Sequence, residues 1–174
     1  MALDYQEAVN YLKWCDSFGR LPQLIALHDR MATPDWLRLL GNEWSACDNI
    51  GLYRLNLRRL MPSAGPVLEM MTSEERVAYQ LLPDKLTVFR GCGAGNMLGA
   101  CWSLDRDVAA AFPMLNRYVQ AEPLLITATV RRERVLAVKL DRDEAEIITF
   151  HARRIAVESL NLGSDNYISN YPPQ

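Results

Sequence analysis

Histidine is scarce in this chain of 174 residues: there are two, His28 and His151, and neither stands in a catalytic or metal-binding pattern. The four cysteines, Cys15, Cys47, Cys92 and Cys101, show no CxxC and no zinc-ligand spacing. So few donors in such positions argue against a metal centre and for free thiols in a reducing compartment. No apolar run approaches the length of a membrane span, and Met1-Ala2-Leu3-Asp4 does not open a secretory signal. The expectation is a cytoplasmic protein, in the cell that makes it or in a target cell. A basic block is missing too. Residues 1–80 carry 8 basic and 10 acidic side chains and residues 81–174 carry 11 of each, so charge gives no support to a nucleic-acid partner or acceptor.

Several catalytic signatures are also missing. There is no G-x-S-x-G, and neither histidine sits where a hydrolase triad would use it. Gly91-Cys92-Gly93-Ala94-Gly95 follows a strand-like run but has the wrong spacing for a dinucleotide fingerprint, and no Gly-Lys-Ser/Thr follows it. It reads as a flexible loop over which backbone approaches a ligand or another strand.

What the chain does have is a change of pattern near residue 80. Residues 1–80 read as helical and residues 81–174 as β-rich, expected to form one compact α+β unit with a mostly antiparallel sheet. Asp4-x-x-Glu7 and Thr72-Ser73-Glu74-Glu75 are capping boxes, and Thr33-Pro34-Asp35 is a further start signal. Gly19 is expected to close the first helix and Pro22 to open the second. A long helix is expected from near Asn42 to Leu60, with Trp44, Cys47, Leu52, Leu55 and Leu57 as its stripe. Met61-Pro62-Ser63-Ala64-Gly65-Pro66 marks a loop. Strands are expected at Leu86–Arg90 (broken by Gly91), Ala100–Ser103, Leu124–Val130, Val135–Leu140, Ile147–Phe150 and Arg153–Leu160, the last with Ile155 and Val157 inward. The spacing of the last four is hairpin-like. Ser103 or Asp105 caps a helix through Val108–Phe112.

The stretch Asp141-Arg142-Asp143-Glu144-Ala145-Glu146 holds five charged residues in six and feeds the apolar run Ile147-Ile148-Thr149-Phe150. On a strand, Glu144 and Glu146 share one face about 7 Å apart. Carboxylates that close raise each other's pKa and can divide acid–base work. The plain alternative is the solvated lip of a strand.

Three pieces occur in order: Phe89-Arg90-Gly91, Trp102-Ser103-Leu104 with Ala109 and Phe112 behind it, and Glu144-x-Glu146. Over Leu86 to Phe150 the chain resembles the ADP-ribosyltransferase superfamily, in the Arg–Ser–Glu branch of cholera-toxin-like and arginine-directed enzymes. It departs in the middle motif, where the family often has Ser-Thr-Ser. The resemblance implies an ADP-ribosyltransferase-like core, NAD as co-substrate and arginine on a protein as acceptor, as in bacterial or phage effectors and toxins. It implies that Glu146 steadies an oxocarbenium-like state, as carboxylates do in glycosidases. Glu144 would orient or deprotonate the acceptor. Arg90 and Gly91 would meet NAD, Ser103 would hold Glu146, and Phe112 or Tyr118 would stack on nicotinamide. Lys139 to Asp143 matches the acceptor-recognition loop. The alternatives are NAD hydrolysis, transfer to a nucleic acid or small molecule, and an inactive transferase-like interaction module.

Overall fold

The computed structural model describes residues 2–115, 118–141 and 145–160. Among these, five α-helices precede the sheet: α1 Tyr5–Leu12, α2 Ser17–Leu27, α3 Thr33–Glu43, α4 Arg54–Leu60 and α5 Ser73–Leu81. The strands are β1 Lys85–Cys92, β2 Cys101–Ser103, β3 Leu124–Arg131, β4 Ala137–Lys139, β5 Glu146–Ile148 and β6 Arg153–Ser159, with α6 Arg106–Ala111 between β2 and β3. They form one sheet in the order β4-β5-β2-β1-β3-β6, with every neighbouring pair antiparallel. The class is α+β.

Local signals decide where most helices begin. Asp4 and Glu7 satisfy each other's backbone N–H groups at the start of α1, and Thr72 and Glu75 do the same for α5. Asp105 accepts from the N–H groups of Asp107 and Val108 to start α6. The second helix begins earlier than its proline indicates. Asp16 caps it by accepting from Gly19 N, so Gly19 lies in its first turn and Pro22 inside it.

The long helix expected over 42–60 is three pieces: a 3-10 turn at Trp44–Ala46, another at Ile50–Tyr53, and α4. Asn49 takes the left-handed conformation at φ 58°, which Asn tolerates better than most residues and which no helix continues through. Leu52 and Leu55, expected on the buried stripe, are exposed, whereas Trp44 and Leu57 are buried.

One contiguous core joins the helices to the sheet. Leu12, Leu24, Leu27, Trp36, Leu40 and Trp44 pack in the same cluster as Val88, Ala128, Val138 and Ile147. Each such Leu or Ile contributes about 1.5–3 kcal/mol of burial. The helical stretch therefore forms a layer on the sheet.

Three strand expectations are corrected. First, β1 does not break at Gly91 but runs on to Cys92, pairing with β3 along its whole length. A Cβ at Gly91 would sit 1.8 Å from the carbonyl oxygen of Ala109, so the missing side chain is what lets α6 lie against β1. Second, of the four strands with hairpin-like spacing only β4 and β5 are both consecutive in the chain and adjacent in the sheet; β3 and β4 lie at different ends of the sheet order, and β6 pairs with β3 rather than with β5. Third, β6 is exposed at every residue, including Ile155 at 59% and Val157 at 42%. Nothing among the described residues covers it.

Candidate active site

The sheet register decides which candidate residues meet. Ser103 of β2 stands directly opposite Glu146 of β5 on one side and Phe89 of β1 on the other. Directly paired residues share a face, so Phe89, Ser103 and Glu146 form one row across three strands. Lys139 of β4 completes that row beyond Glu146. A cleft of about 150 Å³ opens beside it. Its lining includes Arg90, Gly91, Ser103, Phe112 and Glu146, all candidates from the sequence, with Trp44 from the helical layer. Glu144 lies outside the described residues.

Glu146 is partly buried, and its Oε1 accepts a hydrogen bond from the indole Nε1–H of Trp44 at 3.1 Å. An indole is a donor only, so this bond favours the ionised carboxylate. Ser103 faces Glu146 from the neighbouring strand, while its Oγ accepts from Asp105 N at 2.9 Å at the entry to α6. The serine thus ties the start of that helix to the row carrying the carboxylate.

Arg90 sits one residue along from Phe89 and on the other side of the pleat. Its guanidinium reaches two backbone carbonyls: Nη1 donates to Cys101 O at 2.9 Å, while Nη2 and Nε donate to Asn96 O at 3.2 and 3.4 Å. A guanidinium has five N–H donors, and these bonds use three of them. The loop from Gly93 folds closely over it; a Cβ at Gly99 would lie 2.1 Å from Arg90 Cζ. Arg90 therefore organises the glycine-containing loop as well as lining the cleft.

Phe112 and Tyr118 stack on each other, with centroids 4.5 Å apart and planes 23° apart, within the usual aromatic range. Both expected aromatics are thus at the cleft as one pair. The phenol of Tyr118 donates to Asp48 Oδ1 at 2.8 Å, and Asp48 Oδ2 accepts from Ser17 Oγ at 2.6 Å.

Lys139 is not on an acceptor loop. It is buried in β4, with Nζ 2.9 Å from Glu75 Oε1, and both side chains are 4% exposed. The same carboxylate accepts from Thr72 N and Leu140 N, so the capping box of α5 doubles as the counter-charge for a buried lysine. Arg142 and Asp143 lie outside the described residues. Asp141 is described: its Oδ2 accepts from Ser45 Oγ at 2.5 Å.

The thiols here are protonated at neutral pH. Burial pushes Cys47 from the ordinary 9.0 up to about 12, against a smaller opposing pull from Arg20. Cys101, at the cleft, is raised well above its ordinary value, first by burial and then by the Glu146 carboxylate. Burial also raises Cys92, with Arg90 pulling the other way. Neutral thiols are poor nucleophiles.

Local sequence reasoning missed Trp44, Asp48 and the Lys139–Glu75 pair. Trp44 carried the apolar spacing of a core residue, which it also is, being fully buried. Its polar partner lies 102 positions away along the chain, and no local pattern encodes such a bond. Among the described residues no helix is long and apolar enough to cross a membrane. No protein-family model, curated protein or solved structure matches the chain.

Proposed function

We propose that the chain is an NAD-dependent mono-ADP-ribosyltransferase with an ADP-ribosyltransferase-like core, acting on arginine of a protein. The observation that carries the reading is the placement of Glu146 opposite Ser103 on the wall of a cleft that Arg90 also lines. Three residues separated by 56 positions along the chain converge there, in the order the resemblance requires.

The chemistry suits these side chains. In NAD the bond from ribose C1′ to the nicotinamide nitrogen breaks with its electron pair going to nicotinamide, which leaves neutral and needs no acid. The C1′ left behind is electron-poor, and an ionised Glu146 held by Trp44 offsets its positive charge. The Arg90 guanidinium suits a pyrophosphate oxygen. Sites for drug-sized ligands typically span about 300–1,000 Å³, so the partly open cleft of about 150 Å³ takes the nicotinamide–ribose end and the remainder extends along its open side. The Phe112–Tyr118 pair offers an aromatic face to nicotinamide. The acceptor guanidine forms the new bond to C1′ and gives up a proton. A guanidinium stays protonated far above neutral pH, so it needs a base for that, and Glu144 takes that role by the sequence pattern.

Labelled NAD incubated with the protein and a cell lysate tests this. Glu146→Gln is expected to abolish both NAD cleavage and labelling; Glu144→Gln is expected to keep cleavage and lose labelling. A wild-type protein that consumes NAD without labelling any acceptor is a glycohydrolase instead. One that does neither is an interaction module.

A further inference from the structure

A five-residue segment of the helical layer holds three separate parts of the cleft. Trp44 donates to Glu146 on β5; Ser45 donates to Asp141, at the other flank of the β4–β5 connection; Asp48 accepts from Tyr118 of the stacked aromatic pair. All three are side-chain to side-chain bonds with partners 70 to 102 positions away. Trp36 offers a contrast within the same layer. It is equally buried, but its indole N–H goes to the backbone carbonyl of Leu24, a bond that serves the helix packing alone. The indole of Trp44 is directed at a carboxylate.

We infer that Trp44 is a positioning residue for Glu146, and that the helical layer over residues 44–48 is part of the active site. This inference rests on the transferase reading above. Trp44 is fully buried, so its ring has no freedom to follow a moving partner. A donor fixed in that way holds Glu146 in one rotamer and favours its ionised form, which is what charge stabilisation at C1′ requires. Trp44 contacts neither NAD nor the acceptor in this scheme; it acts through Glu146.

Trp44→Phe keeps most of the ring volume and removes the N–H. Its NAD cleavage is expected to lose roughly 10- to 100-fold in kcat, the size of one hydrogen bond to a charged group, with KM for NAD unchanged. In a Glu146→Asp background, which keeps a carboxylate and a residual rate but withdraws the oxygen from the indole, the same substitution is expected to cost nothing further, because the two residues act as a unit. A ring that merely fills the core would lower the rate by the same factor in both backgrounds, and that result overturns the inference. So does an unchanged kcat in Trp44→Phe alongside an active wild type, which leaves the transferase reading standing. A wild type that does not cleave NAD removes both. A second measurement needs no change at Trp44: the indole N–H proton resonance of Trp44 in the NMR spectrum is expected to move in Glu146→Ala. An unmoved resonance also overturns the inference, including where Trp44→Phe fails to fold.

Discussion

The two ends of the sheet are made from similar sequence and have opposite fates. At the β4–β5 end, Ala137, Val138 and Lys139 are all buried, as are Ile147 and Ile148; α5 packs on β4, and Lys139 Nζ reaches Glu75 and the Met70 carbonyl. At the β3–β6 end, Arg153–Ser159 pairs with β3 and is exposed throughout. Both ends satisfy the backbone, and both carry β-branched residues. The difference is a second layer. A strand sequence qualifies a segment for the sheet; only a helix laid across it turns an apolar residue into core and brings polar groups such as Trp44 Nε1 and Glu75 within reach. At the uncovered edge, Arg153, Arg154 and Glu158 give the strand the charge that discourages edge-to-edge pairing.

Substitutions at the two ends should separate in size. The largest effect is expected from Lys139→Ala, which strands the Glu75 carboxylate in the core and should cost about 3–5 kcal/mol in urea unfolding. The double change Glu75→Gln with Lys139→Met should recover much of that loss. It removes both charges, and Gln still serves the capping box of α5. A double variant as unstable as Lys139→Ala would show that the pair itself, rather than an unpaired charge, holds the covered end together.

Next in size is a matched pair of truncations. Ile147→Ala in β5 should lower stability by about 2–5 kcal/mol, because Ile147 is wholly buried. Ile155→Ala in β6 should stay within about 0.5 kcal/mol, as exposed positions do. Equal losses at the two positions would mean that β6 is covered in solution.

The smallest effect is expected from Glu158→Ala. It removes the ion pair with Arg106, whose side chains are 47% and 48% exposed. Screening by water leaves such a pair about 0–1 kcal/mol, and added salt should erase what there is. A cost near that of Lys139→Ala would end the distinction between the two ends.

Parts of this molecule are legible in the chain because their causes are local. A capping box needs partners three residues apart, so Asp4–Glu7 and Thr72–Glu75 can be read directly, and the proline- and glycine-rich stretch 61–66 separates α4 from the turn before α5 in the same way. The strand positions of Leu124–Arg131 and Lys85–Cys92 follow from runs of β-branched and apolar residues. Other readings went astray where a distant contact overrides the local pattern. Gly91 has the composition of a break, yet the strand runs through it because α6 needs its bare backbone. Lys139 has the charge of a surface loop, yet Glu75 of a different element neutralises it in the core. The apolar spacing from Trp44 to Leu57 is helical, yet Asn49 turns the chain beside Asp48, which Ser17 and Tyr118 hold from two other segments.

For the candidate site the division is the same. The sequence by itself determined which side chains are available: a glutamate at the mouth of a strand, a serine before a capped helix and an arginine late in a strand. It also determined that Glu146, Ser103 and Phe89 each occupy extended backbone. The tertiary structure decided the strand order β4-β5-β2-β1-β3-β6, and with it that Glu146 faces Ser103 rather than a residue of β3 or β6. It alone placed Trp44 against Glu146. Period-2 alternation and helix caps act over a few residues, whereas strand order and layer packing are settled by burying one shared core, in which residues a hundred positions apart compete for the same space.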